Sequence, residues 1–232
     1  MKDLDVQGYD DIVRRVALIP YRGKPGVHPS SFGCFRRVTF ELMGTEGIQN
    51  VSPEMRELMD TGTAIHRMIQ NHYKLGYPLE HPGCTFEDEV KLNAETSERA
   101  GMLFIRCSVD GVFTIPKIRP RVLEIKTVGK SEMDSLRKVR EKDKAQVNTY
   151  LYLLDAQVAT MHYVSRANTR NRQLFTYRFD PELWESTKAN IEMAIEAAFK
   201  GELPPTKADD YTCGICPFQH CCPSKEEWHC VT

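Results

Sequence analysis

Long apolar runs are missing from this chain. No stretch approaches the roughly 20 residues that a membrane-crossing helix needs, which excludes a helical membrane protein. The opening residues, Met-Lys-Asp-Leu-Asp-Val-Gln, are polar and do not read as a secretory signal, so a cytoplasmic location without membrane contact is expected. An excess of one charge is missing too: 31 Lys and Arg stand against 32 Asp and Glu, a formal charge of -1. The chain as a whole therefore does not attract nucleic acid, and any such binding must come from local basic patches. Residues 14–15, 36–37, 117–121 and 166–172 are the candidates, each with a solvated surface as its ordinary alternative. With 41% hydrophobic and 27% charged residues, the 232-residue chain has the composition of a soluble domain with a substantial core.

Cysteine is not scarce, but it is unevenly placed. Of eight cysteines, Cys34, Cys84 and Cys107 stand apart, while Cys213, Cys216, Cys221, Cys222 and Cys230 crowd the tail. Clustering without a secretory signal argues for metal binding over disulfides.

The most informative stretch runs from Ser108 to Tyr150. Residues 121–128 (Arg-Val-Leu-Glu-Ile-Lys-Thr-Val) are apolar and β-branched after a proline-containing break, so they predict a strand. Alternation puts Glu124 and Lys126 on one face and Ile125 on the other. Charges at two successive positions of one face are costly unless paired or bound to a metal. Residues 101–111 predict a preceding strand that carries Asp110 and then Gly111, and a hairpin between the two brings Asp110 near Glu124. Two carboxylates beside an ammonium suit Mg²⁺ or Mn²⁺, with the lysine placed to orient or deprotonate a water. Residues 131–156 predict a helix on which Gln146 and Tyr150, at i and i+4, share a face.

In that order, Asp110, Glu124-x-Lys126 and Gln146-x-x-x-Tyr150 resemble the PD-(D/E)XK nuclease superfamily, and within it the RecB-like branch. The resemblance implies that Asp110 and Glu124 bind the metal, that Lys126 assists the attacking water, and that Gln146 and Tyr150 position the lysine and the substrate strand. The Ile125 carbonyl and His66 are the further metal ligands it implies; Gly62-x-x-x-His66 looks like the branch's histidine motif. Val109 stands where the motif's proline would precede the aspartate. The implied fold is α/β: a restriction-endonuclease-like mixed central sheet flanked by helices, with a cysteine-stapled helical cap.

Elsewhere the pattern predicts helices over 9–17, from Pro53 to about Tyr73 with Ser52 as N-cap, and from Pro181 to about Lys200 with Asp180 as cap. Strands are expected over 85–92, with Glu89 near the site, and over 158–165 and 173–179 with a polar, basic turn between them. Past Gly201 the tail contains Cys213-Gly-Ile-Cys216 and then Cys221-Cys222. A Cys-x-x-Cys turn aims two sulfurs at one point, and two more ligands complete a tetrahedral set. With Cys34 at a helix start beside Arg36 and Arg37, this spacing resembles the four-cysteine [4Fe-4S] staple of AddB-type and CRISPR-associated RecB-like exonucleases. The implied ligands are Cys34, Cys213, Cys216 and Cys222, with Cys221 as rival for the last place. A Zn²⁺ site using the tail cysteines with His220 or His229 is the alternative.

The expected organisation is a single nuclease domain over 1–232, its segments 1–50 and 201–232 joined by the metal-cysteine site. The expected function is metal-dependent exonucleolytic hydrolysis of DNA, single strands or ends, in recombination, repair, phage replication or CRISPR spacer processing, with protein partners in a recombination or CRISPR complex. Two other classes stay open: a non-catalytic nucleic-acid-binding or assembly subunit, and a zinc-stabilised interaction protein.

Overall fold

A computed structural model describes residues 25–48, 51–205, 208 and 210–223, together with Arg15. The helix expected over 9–17 and the basic pair at 14–15 fall, apart from Arg15, outside the described residues, as do His229 and Cys230. Among the described residues no helix is long and apolar enough to cross a membrane.

The chain divides into two compact units. The larger, residues 28–30 and 60–189, holds one five-stranded sheet in the order β1-β2-β3-β4-β5. Its strands are β1 (Thr85–Leu92), β2 (Cys107–Thr114), β3 (Arg121–Val128), β4 (Val158–Ser165) and β5 (Asn168–Arg178). β3 and β4 run parallel and the other neighbours antiparallel, so the sheet is mixed. The parallel step needs a crossover, and the chain between β3 and β4 supplies it with two helices.

Helix α1 (Phe35–Leu42) belongs to the smaller unit, and the long α2 (Pro53–Glu80) begins there. The Ser52 hydroxyl accepts from the Met55 N–H at 3.2 Å, the expected N-cap. The helix runs one to two turns past Tyr73 because its apolar stripe continues. Ile65, Ile69, Tyr73 and Tyr77, each four residues from the last, pack on Phe86, Phe113, Leu123, Ile125 and Val164 of the sheet. Tyr77 lies 4.6 Å from the Phe113 ring centroid. Leu123 and Ile125 are completely buried under this helix, as alternation requires, which leaves Glu124 to the opposite face.

Two glycines let these layers close. A Cβ on Gly62 would stand 3.0 Å from the Thr127 hydroxyl, so its absence allows α2 to approach β3. One on Gly111 would stand 2.3 Å from the Phe86 ring, which is buried with Phe113 and packed by Tyr73. Gly111→Ala is therefore expected to destabilise the protein by roughly 1–3 kcal/mol through overpacking. Urea denaturation would show it, with part of the loss recovered in Gly111→Ala combined with Phe86→Leu.

Three sequence expectations need correction. The strand expected from Gly101 begins at Cys107. Residues Glu98–Met102 instead form a short helix, α3, whose N-cap Ser97 accepts from the Ala100 N–H at 3.3 Å, and Phe104 then turns the chain at φ 53°. The helix expected over 131–156 is two helices, α4 (Lys130–Ser135) and α5 (Glu141–Leu153). Between them Leu136 and Arg140 are extended, and Arg140 spans the break with bonds of 2.6 Å to both Glu132 and Asp143. A buried tyrosine, Tyr163, donates to the same Asp143 at 2.7 Å, so the charge network fixes the kink. Finally, β5 starts at Asn168, so most of the polar stretch expected as a turn is strand.

Helix α6 (Pro181–Lys200) starts where expected: the Asp180 carboxylate accepts from the Leu183 N–H at 3.0 Å. Asn148 on α5 ties this start down, donating to the Asp180 carbonyl at 2.8 Å and accepting from its N–H at 2.9 Å. Gly201 ends the helix at φ 71°, a left-handed position suited to glycine.

In the smaller unit, the tail with its short helix α7 (Asp210–Gly214) packs beside α1. The rings of Phe40 and Phe218 stack at 5.2 Å, and the Ile48 N–H donates to the Pro217 carbonyl at 2.8 Å. Arg36, one of the expected basic-patch residues, is 2% exposed and donates to the Pro204 carbonyl at 2.8 Å. Its neighbour Arg37 pairs with Glu41 at 3.0 Å. Arg36 is thus internal structure and offers no surface for nucleic acid, whereas Arg37 stays partly exposed.

Candidate active site

The site lies where β2 and β3 part. Their ladder pairs Gly111 with Leu123 and goes no further. Just past it, the Ile125 N–H donates to the Asp110 Oδ2 at 2.7 Å, so a side chain takes over the role of the strand partner. This bond fixes Asp110 next to the Glu124–Lys126 segment. The other oxygen, Oδ1, lies 3.1 Å from His66 Nδ1, which α2 brings in from one turn after Gly62. The Gly-x-x-x-His spacing thus has a physical reading: close approach at the glycine, then a histidine reaching Asp110.

On the other side of β3, Lys126 Nζ lies 2.7 Å from Glu124 Oε1 and donates to Gln146 Oε1, also at 2.7 Å. The Gln146 amide then donates from Nε2 to the Tyr150 hydroxyl at 2.8 Å. The i, i+4 pair on α5 therefore holds the lysine in place. His66, Asp110, Glu124, Lys126, Gln146 and Tyr150 form one continuous arrangement around the main chain of Ile125.

The electrostatics follow from burial. Glu124 is 3% exposed, and burial, helped by the Asp110 charge, outweighs Lys126 and pushes its carboxyl up to about 7. Burial works against charging Lys126, but Glu124 and Asp143 overcome it and raise the ammonium above its ordinary value. Lys126 is thus a cation at neutral pH. For His66 burial is again opposed, here by the Asp110 hydrogen bond and charge, and the net shift is upward. Burial and then Glu124 hold Tyr150 well above the ordinary phenol range, so it remains a neutral hydroxyl.

A buried carboxylate made harder to ionise by a second one is a position where a cation relieves a cost. The available donors, the Asp110 and Glu124 carboxylates with the Ile125 carbonyl and the His66 imidazole, are mostly hard oxygens that fit Mg²⁺ or Mn²⁺. Among the described residues no three His, Cys, Asp or Glu side chains are gathered into a metal site as they stand.

Two residues here escaped the sequence reading. Asp143, 5% exposed, supports the Lys126 charge from α5, and Gln70, one turn after His66, donates to the Asp110 carbonyl at 2.9 Å. The i, i+4 spacing from His66 was the available signal for Gln70. Glu89, expected near the site, accepts from Gln70 at 2.8 Å.

The cysteines fall in the smaller unit. Cys34 is the N-cap residue of α1, as expected of a helix start, and the Cys216 N–H donates to the Cys213 carbonyl at 3.1 Å in a tight turn. Burial raises the Cys216 thiol, with Cys34 and Cys222 both close enough to add to the shift. Arg36 Nη1 lies 3.8 Å from Cys222 Sγ, whereas Cys221 is exposed and its Sγ turns to the Phe218 carbonyl at 3.4 Å. Cys34, Cys216 and Cys222 thus lie in one neighbourhood of the smaller unit, and Cys222 also acts on Cys221.

A mixed sheet carrying Asp, Glu-x-Lys and a supporting helix at the fork of two strands defines a nuclease-type fold. The sequence comparison agrees: residues 84–223, more than half of the chain, match the PD-(D/E)XK nuclease superfamily, and the chain belongs to that superfamily. No curated protein sequence matches it. Among solved structures it is similar to SSO0001, at 17% identity and a TM-score of 0.52 over 93% of this chain and 96% of the other. It is also similar to LHK-Exo in complex with dAMP, at 14% identity and a TM-score of 0.53 over 82% and 93%. LHK-Exo is an alkaline exonuclease from Laribacter hongkongensis. At these identities the likeness concerns the fold.

Proposed function

We propose that the protein is a RecB-like, Mg²⁺- or Mn²⁺-dependent exonuclease acting on DNA, single strands or ends. The observation that carries this reading is the Lys126 ammonium held between Glu124 and Gln146, one residue from the N–H that fixes Asp110. A structural subunit has no use for a charged set gathered around a buried Glu124, whose assembly costs stability. Asp110 and Glu124 would hold the metal, with His66 and the Ile125 carbonyl assisting. When bound, the cation would supply Lewis-acid polarisation of the phosphoryl group and a more acidic water. Lys126, being charged, orients the attacking water and stabilises the negative charge that develops on phosphorus oxygens; it does not act as the base. Gln146 and Tyr150 keep the lysine from swinging away. The alkaline exonuclease among the fold neighbours supports exonucleolytic action on DNA as the first mode to test.

DNA labelled at either end, single- and double-stranded, with Mg²⁺ or Mn²⁺ tests the substrate. Progressive shortening from one end of the preferred strand supports the reading, while internal cuts on closed circles would make the protein an endonuclease.

In the same reading, Cys34, Cys213, Cys216 and Cys222 hold a [4Fe-4S] cluster that joins the two chain ends within one nuclease domain, with structural Zn²⁺ as the alternative. Cys34 at the start of α1, the tight Cys213–Cys216 turn and Arg36 Nη1 beside the Cys222 sulfur support it. Anaerobically purified protein is expected to be brown, with iron and sulfide that Cys216→Ser removes; a colourless protein containing zinc would select the alternative. Protein partners in a recombination or CRISPR complex, and work in repair or phage replication, fit a nuclease of this type.

A further inference from the structure

Helix α2 grips Asp110 twice: His66 reaches the carboxylate, and Gln70 donates to the main-chain carbonyl at 2.9 Å. Gln70 is 2% exposed, and its Nε2 also donates to Glu89 Oε1 at 2.8 Å. An amide nitrogen has two hydrogens, and here two acceptors take them. Because a carboxylate can only accept, Glu89 fixes which end of the Gln70 amide faces Asp110. The second Glu89 oxygen accepts from the Ser108 hydroxyl at 2.8 Å.

The backbone at Glu89 is unusual as well. It stands at φ 52°, a left-handed position that a non-glycine residue inside a strand rarely takes. The ladder on either side stays in register, Asp88 opposite Gly111 and Val90 opposite Val109, and skips only Glu89, where it faces Asp110. Backbone strain persists where surrounding contacts hold it, and here they are the Gln70 and Ser108 hydrogen bonds.

We propose that Gln70 and Glu89 are positioning residues that set the direction of the Asp110 carboxylate, and through it the affinity of the site for a divalent cation. The inference rests on the nuclease reading. Glu89 acts through Gln70, and Gln70 acts through the Asp110 main chain; neither needs to touch substrate.

The test uses the 232-residue chain and three readouts: Mn²⁺ binding by calorimetry, kcat and KM on end-labelled DNA, and the thermal midpoint. Glu89→Gly removes the carboxylate while suiting the left-handed backbone. It is expected to weaken Mn²⁺ binding and lower kcat by roughly tenfold to a hundredfold, with KM for DNA and the thermal midpoint held or the midpoint raised. Glu89→Gln, which keeps an acceptor oxygen, restores most of the loss. Gln70→Met causes a loss of similar size, and adding Glu89→Gly to it costs nothing more. Wild-type Mn²⁺ affinity and kcat in Glu89→Gly would overturn the proposal, as would independent losses that multiply in the double variant or a kcat loss that merely follows a fall in thermal midpoint. A wild type that neither binds Mn²⁺ nor cleaves DNA would instead overturn the nuclease reading itself.

Discussion

Replacing Lys126 with alanine is expected to slow DNA cleavage by roughly a hundredfold to a thousandfold, the usual cost of deleting one group that stabilises developing charge. The half-buried ammonium is held by Glu124 and Gln146, both 2.7 Å away, so it is preorganised and has little to rearrange during the reaction. The carboxylates proposed to bind the cation remain in place, and Mn²⁺ binding is therefore expected to be retained while kcat falls. A single-turnover assay at saturating DNA separates the chemical step from binding. A Lys126→Ala protein that cleaves at the wild-type rate would remove the lysine from the reaction.

Glu124→Gln is expected to abolish metal-dependent cleavage and also to change how stability depends on pH. In metal-free protein the Glu124 carboxyl sits at about 7, against an ordinary value of 4.5, because burial disfavours its charge. The native state thus holds this proton more tightly than the unfolded state. The resulting stabilisation is fully present below about pH 4.5 and is lost as pH rises to about 7, a change on the order of 3 kcal/mol. Glutamine does not titrate, so the variant gains on the wild type across that window. Thermal midpoints of both proteins in chelator at several pH values would show it. Mn²⁺ added to the wild type at pH 8 is expected to narrow the difference, since a cation then meets the charge. A difference that stays constant with pH would contradict the account of Glu124.

Much of the site was legible because its physics is local. Alternation along 121–128 alone separates Glu124 and Lys126 from Ile125, and the structure buries Ile125 under α2. The i, i+4 spacing of Gln146 and Tyr150 likewise needs only helical geometry. The helix break at 136–140 was not legible, because it depends on Arg140 meeting Glu132 and Asp143 under Tyr163, which comes from another strand. Arg36 was misread for a similar reason: two adjacent arginines look like surface charge until the tail carbonyls that receive one of them are known. The left-handed backbone at Glu89 leaves no mark in the sequence, since glutamate is not a residue that favours it.

The most direct test of the central claim compares wild-type protein with Asp110→Asn on end-labelled DNA, with Mg²⁺, with Mn²⁺ and with chelator. Asp110 receives the Ile125 N–H and faces His66, so its charge is what joins the two halves of the site. The account predicts cleavage by the wild type with either metal, none in chelator, and none by Asp110→Asn under any condition while the variant keeps the wild-type fold. Cleavage that persists in chelator, or in the Asp110→Asn protein, would contradict it.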